Sequence, residues 1–160
     1  MMRARFIRSL AIRSLAVALA GVIFVLLLPV MATAQSPPAV TSLRAAEWKA
    51  IEAVIRTQLA AMKSGDSAKS FAHAAPAIQQ QFGTAENFLA MVRIGYGALL
   101  AARYTEFLEG AVVEGNVIQP LRIIAPDNSV QVALYTMQKQ PDGRWKIAGC
   151  ALAPSTVQAA

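Results

Sequence analysis

Hydrophobic residues are spread along this chain in three rhythms. From Leu15 to Val30 they follow one another almost without a break. Between Trp48 and Met62 they fall three and four positions apart. After about Ala102 they alternate with polar neighbours. A helix brings every third or fourth side chain to one face and a strand every second one, so the last two rhythms predict different elements.

The helical rhythm is clearest in Trp48, Ile51, Ile55, Leu59 and Met62, with Lys49, Glu52, Arg56 and Lys63 on the other side. Thr41 or Ser42 can cap this helix, and Gly65 can close it near Ser64. Asp66 then caps a short helix whose apolar side is Ala68, Phe71 and Ala72. Pro76 ends that helix and fits the first turn of another, through Ile78 and Phe82 to Gly83. Thr84 starts a fourth helix with Phe88, Val92 and Leu99 on its stripe, weakened where Gly95 and Gly97 flank Tyr96.

Alternation predicts four strands over Tyr104–Val113, Val117–Ile124, Val130–Lys139 and Arg144–Leu152. Pro126-Asp127-Asn128-Ser129 and Pro141-Asp142-Gly143-Arg144 are turn sequences that join the last three into a meander. Pro120 cannot donate to a ladder, so its strand is at an edge or bulged there. Helices first and strands second predict an α+β fold, with N-terminal helices packed on one face of a four-stranded antiparallel sheet.

The continuous apolar run reads differently. Arg3, Arg5, Arg8 and Arg13 precede it, Pro29 breaks it, and Ala32-Thr33-Ala34 follows. Basic region, apolar region and small-residue site make a secretory signal peptide over residues 1–34. The expected product is exported, to the periplasm or beyond. Only an uncleaved leader would tie it to a membrane. A linker over 35–41, one domain over 42–153 and a frayed tail over 154–160 follow. Four of the 15 basic residues and none of the nine acidic ones lie in the leader, so most of the net charge of +6 goes with it. The clustered basic face expected of a nucleic-acid-binding domain is then missing. Cys150 is the single cysteine, which precludes an internal disulfide; it reads as a small buried apolar residue, with an intermolecular disulfide or a reactive thiol as the alternative.

Several stretches carry a resemblance. They are Ile55-x-x-Gln58-Leu59-x-Ala61 with Gly65-Asp66, and Ala75-Pro76-x-Ile78-Gln79-x-x-Phe82-Gly83. Further on come Phe88-x-x-Met91-Val92-x-x-Gly95-Tyr96, then Tyr135, then Pro141-Asp142-Gly143-x-Trp145-x-Ile147-x-Gly149-Cys150-x-Leu152. Together they resemble the exported bacterial family filed as domain of unknown function 4864. Pro120 departs from the pattern, where a residue able to pair is expected. The layout also resembles the cone-shaped nuclear-transport-factor-2-like, or cystatin-like, fold. That resemblance implies a curved sheet around the long helix and a pocket between them, and the fold hosts enzymes and non-enzymes alike.

Catalytic chemistry is sparse. His73 is the only histidine, and Asp66 lies seven residues earlier, about 10 Å along a helix and too far to orient it. One histidine and one cysteine, far apart, do not make a metal site. Glu106 and Glu109 are three apart on a strand and face opposite sides. Asp127 and Asp142 belong to turns, Asp66 to a cap, and Gly95-Tyr96-Gly97 lacks the spacing of a phosphate loop. No catalytic residue and no cofactor is therefore assigned.

What remains are side chains that could converge between helices and sheet: Arg93 and Tyr96, Gln79, Gln119 and Tyr135. Tyr96 leads them, because its flanking glycines would let a backbone or a ligand approach closely. Trp48 and Trp145 are further aromatics that could line such a pocket or fill it as core. Three functions fit. The first is a non-catalytic module binding a small apolar ligand or a partner protein. The second is an envelope protein that self-associates as a homodimer. The third is an isomerase- or dehydratase-like enzyme using Tyr96 or His73. An open, roomy pocket with Tyr96 and Arg93 pointing in favours the first and third, and one filled by Trp48, Phe88 and Trp145 favours the second.

Overall fold

The computed structural model describes residues 43–155. The expected leader, the linker with the caps Thr41 and Ser42, and residues 156–160 lie outside them. Five helices precede five strands: α1 (Ala45–Ser64), α2 (Ser67–Ala72), α3 (Pro76–Phe82), α4 (Ala85–Gly95), α5 (Gly97–Ala101), β1 (Tyr104–Phe107), β2 (Ala111–Val113), β3 (Asn116–Ile124), β4 (Val130–Lys139) and β5 (Trp145–Pro154). The fold is α+β, with helices followed by an open antiparallel sheet. Among the described residues no helix is long and apolar enough to cross a membrane.

The punctuation of the helices follows local chemistry. Helix α1 starts after Arg44, whose backbone N–H donates to the Glu47 carboxylate, and it buries Ile51, Ile55, Leu59 and Met62. Gly65 closes it at φ +77°, a left-handed turn that glycine adopts without strain. The Asp66 carboxylate accepts from Lys69 N–H at 2.9 Å to start α2. Pro76 occupies the first turn of α3, and the Thr84 hydroxyl accepts from Asn87 N–H to start α4. The fourth expected helix is two, because the chain leaves helical geometry at Tyr96 (φ −128°, ψ 32°).

The sheet runs β1-β3-β4-β5, with β2 also on β3. It has five strands where four were expected. Tyr104–Val113 is interrupted over Leu108–Gly110, so that three residues face Gln119 and Pro120 of β3, which is a bulge. The cause is Pro120. Its carbonyl accepts Leu108 N–H at 3.1 Å, but it has no N–H to give in return. The buried Gln119 amide takes over, donating to the Leu108 carbonyl at 2.7 Å. The bend also brings Gly110 under Trp48, where a Cβ would stand 2.7 Å from the ring atom Cε3. A second irregularity lies between Thr136 and Met137, opposite β5. Strand β5 continues through Pro154, which pairs with Gln131, rather than fraying there.

The helices cover one face of the sheet. Leu121, Ile123, Ala133, Tyr135, Met137 and Ile147 meet Ile51, Ile55, Leu59, Val92 and Leu99 in one core. The link between α2 and α3 is tied to β5: Ile147 N–H donates to the His73 carbonyl and Ala75 N–H to the Ile147 carbonyl. Phe88 packs against Phe71 and Phe82 at centroid separations of 5.5 and 5.7 Å. The helical layer is thereby anchored at both ends of α3, and a gap is left between it and β4–β5.

Candidate functional site

That gap is a cavity of about 460 Å³. Helix α1 contributes Gln58 and Met62, α3 contributes Ile78 and Phe82, and α4 contributes Phe88, Met91 and Val92. The floor is Tyr135 of β4 with Ile147 and Cys150 of β5. Tyr96 and Leu99 close the side where α4 gives way to α5. None of the lining residues carries a charge. Such a surface receives apolar molecules and orients them through a few polar atoms.

Tyr96 is half-buried, and its hydroxyl donates to the Cys150 carbonyl at 2.6 Å. The helix break puts it there. A Cβ on Gly95 or Gly97 would meet nothing within 4 Å, so no other part of the described chain packs closely against either glycine. Burial, with the Cys150 thiol adding to it, raises the pKa of the Tyr96 hydroxyl above its ordinary value.

Tyr135 is only 1% exposed and stands directly across the strand pair from Cys150. The Cys150 thiol acts on this hydroxyl as a hydrogen-bonding neighbour, although among the described residues no group meets strict hydrogen-bond geometry with it, and its oxygen has almost no accessible surface. Burial holds this hydroxyl protonated well above its usual range. Burial likewise pushes the Cys150 thiol up to about 12, only partly offset by the Tyr135 hydroxyl. A thiol so placed is protonated at neutral pH and a poor nucleophile.

The other expected residues lie elsewhere. Arg93 is exposed on α4 and does not line the cavity. The Gln79 amide donates to the Phe71 carbonyl at 3.0 Å, securing the end of α2. The Gln119 amide is spent on the bulge between β1 and β2. Trp48 and Trp145 pack in and against the core without filling the cavity, while Phe88 forms one wall. His73 caps α2, and burial, then Lys146 and Lys69, lower its pKa. Glu106 pairs with Arg122 across β1 and β3. Glu47 accepts from Lys139 Nζ at 2.7 Å, which lowers its pKa and ties α1 to β4. Gln58, Gln81 and Cys150 are polar or titratable lining residues beyond those expected, and Gln81 is exposed. Gln58 is buried, with its amide on the Ser70 carbonyl at 3.2 Å.

No curated protein and no solved structure matches the chain. A family model does, over residues 44–160. That stretch holds all ten elements and every wall of the cavity, and the chain belongs to the family described as Domain of unknown function (DUF4864).

Proposed function

We propose that this is an exported, non-catalytic module that binds a small apolar ligand between its helices and sheet, in a nuclear-transport-factor-2-like cone. The observation that carries the reading is the cavity: about 460 Å³, walled mainly by phenylalanine, methionine and aliphatic side chains, with Gln58 and Gln81 among them. Export rests on the arginine-rich apolar leader and its Ala32-Thr33-Ala34 site. Binding is preferred to acid-base catalysis because the lining lacks histidine, lysine and carboxylates. Its titratable groups, Tyr96, Tyr135 and Cys150, all hold their protons past neutral pH.

Mass spectrometry of the chain purified from the periplasm under native conditions tests this. The expected result is a mass matching cleavage after Ala34 together with a small apolar molecule released on denaturation. A protein that is uniformly ligand-free and fails to take up apolar compounds would refute the binding reading. A mass retaining residues 1–34 would refute cleavage. Self-association is a second reading, favoured by Leu134, exposed at 37% on the outer face of the sheet. Sedimentation at micromolar concentration distinguishes a dimer from a monomer.

A further inference from the structure

We propose that the cavity takes an uncharged, largely apolar ligand that presents a hydroxyl or N–H donor to Gln58 Oε1. This rests on the ligand-binding reading above and names the polar contact that orients the ligand.

Gln58 stands three residues after Ile55 on the apolar stripe of α1, is 3% exposed, and lines the cavity. Its Nε2 donates to the Ser70 carbonyl of α2 at 3.2 Å, which fixes which way the amide points. The oxygen and nitrogen of a planar amide diverge, so Oε1 is turned away from that carbonyl. Among the described residues no donor reaches Oε1. The only side-chain oxygen or nitrogen among them that is both enclosed and unpartnered is the Tyr135 hydroxyl. Gln58 Oε1 is therefore unpartnered without being enclosed. This residue belongs to the cavity wall and has almost no surface elsewhere, so the bare acceptor opens into the cavity. A buried acceptor left unpaired is costly, and a ligand donor relieves that cost.

The rest of the lining decides the kind of donor. Tyr96 spends its hydrogen on the Cys150 carbonyl, and Gln81 is exposed, where water serves its amide. None of the lining residues is charged, so an ammonium would lose its water and gain no counter-charge. A neutral hydroxyl or N–H gives up less hydration and recovers its hydrogen bond at Oε1. At about 30 Å³ per water-sized group there is room for roughly fifteen non-hydrogen atoms.

Four naphthalenes of similar size separate these points: 2-naphthol (neutral donor), 2-methoxynaphthalene (the same oxygen without its hydrogen), 2-ethylnaphthalene (no polar atom) and 2-(aminomethyl)naphthalene (charged donor). Each is titrated calorimetrically into protein produced from the full-length sequence at about pH 7, where the naphthol is neutral and the amine protonated. The naphthol should bind at least as tightly as the methoxy compound, since a hydroxyl buried without an acceptor would bind more weakly. It should bind at least about tenfold more tightly than the amine. Gln58→Met, close in shape but without the acceptor, should weaken the naphthol roughly three- to tenfold and leave 2-ethylnaphthalene unchanged. Gln81→Met should change neither. Naphthol binding more weakly than the methoxy compound, amine binding as tightly as naphthol, or a naphthol affinity that follows Gln81 rather than Gln58 would overturn the inference and leave the ligand-binding reading in place. Failure of all four compounds to bind would overturn both. The comparison of naphthol, methoxy compound and amine is read on the unaltered chain, so it stands even if a variant fails to fold.

Discussion

Replacing Tyr135 by phenylalanine removes one oxygen and keeps the ring that packs in the core. A buried tyrosine usually loses stability in this exchange, because its hydroxyl had a partner. Here the sign should reverse. The side chain is 1% exposed and its hydroxyl is unpartnered, a situation that costs about 1–3 kcal/mol. Against the gain stands the space the oxygen leaves, about 20 Å³ at ~24 cal/mol per Å³, or roughly 0.5 kcal/mol. The ligand-free variant should therefore be more stable by about 1 kcal/mol, a rise in Tm of roughly 3–6 °C for a domain of this size. Urea denaturation followed by the fluorescence of Trp48 and Trp145, both in or against the core, reads the change as a shift in midpoint at constant slope. A loss of about 1 kcal/mol or more would show that the hydroxyl is already satisfied, by the Cys150 thiol or by water.

Other parts of the structure make separate predictions. Gln119→Leu keeps the volume but strips the Leu108 carbonyl of its donor, and should cost about 2–3 kcal/mol in the same assay; a cost below about 0.5 kcal/mol would show that the bulge does not depend on this amide. Gly110→Ala forces a methyl group into the Trp48 ring and should cost about 1–3 kcal/mol, most of it relieved by adding Trp48→Leu, whereas simple additivity of the two would place the strain elsewhere. The unfolded Cys150 thiol ionises near 9.0 and the folded one near about 12. Its contribution is therefore fully present below pH 9 and declines as pH rises through that window, by at most about 1.4 kcal/mol per pH unit. Cys150→Ala should make the alkaline fall in urea midpoint shallower, though Tyr135 still steepens it above pH 10 in both proteins; identical slopes would contradict a buried thiol.

Much of the fold could be read from residue order because its causes are local. The Ile51–Met62 stripe, the Gly65 stop, the Asp66 cap and the turns at Asp127 and Asp142 each depend on neighbours a few positions away. The split between β1 and β2 depends on a proline in the next strand and on a glutamine side chain crossing to replace its missing N–H. Pro120 announces an irregularity, but the sequence does not say which strand yields to it. Gln79 and Gln119 drew attention as polar residues among apolar ones. Their partners are backbone carbonyls, Phe71 and Leu108, which a sequence does not display. Gln58 did carry a signal, three residues after Ile55 on the apolar face of α1, and its position on that stripe is what brings it to the cavity.

The cavity itself arises from two departures from regularity that meet. At the turn end of the β4–β5 hairpin, Met137 pairs with Ile147, and continuing that register would set Gly149 opposite Tyr135. The irregularity between Thr136 and Met137 moves the pairing by one residue, so that Cys150 faces Tyr135 instead. A shift of one residue exchanges the two faces of a strand, and it carries the thiol onto the floor of the cavity. The break at Tyr96 then turns that side chain toward the same residue, where its hydroxyl holds the Cys150 carbonyl. Cys150 thus occupies Tyr96 through its backbone, while its sulfur, a weak acceptor, leaves the Tyr135 hydroxyl unmatched. A serine in its place would offer Tyr135 a strong acceptor. The small, poorly bonding side chain at position 150 is therefore what leaves the buried Tyr135 hydroxyl without a strong acceptor.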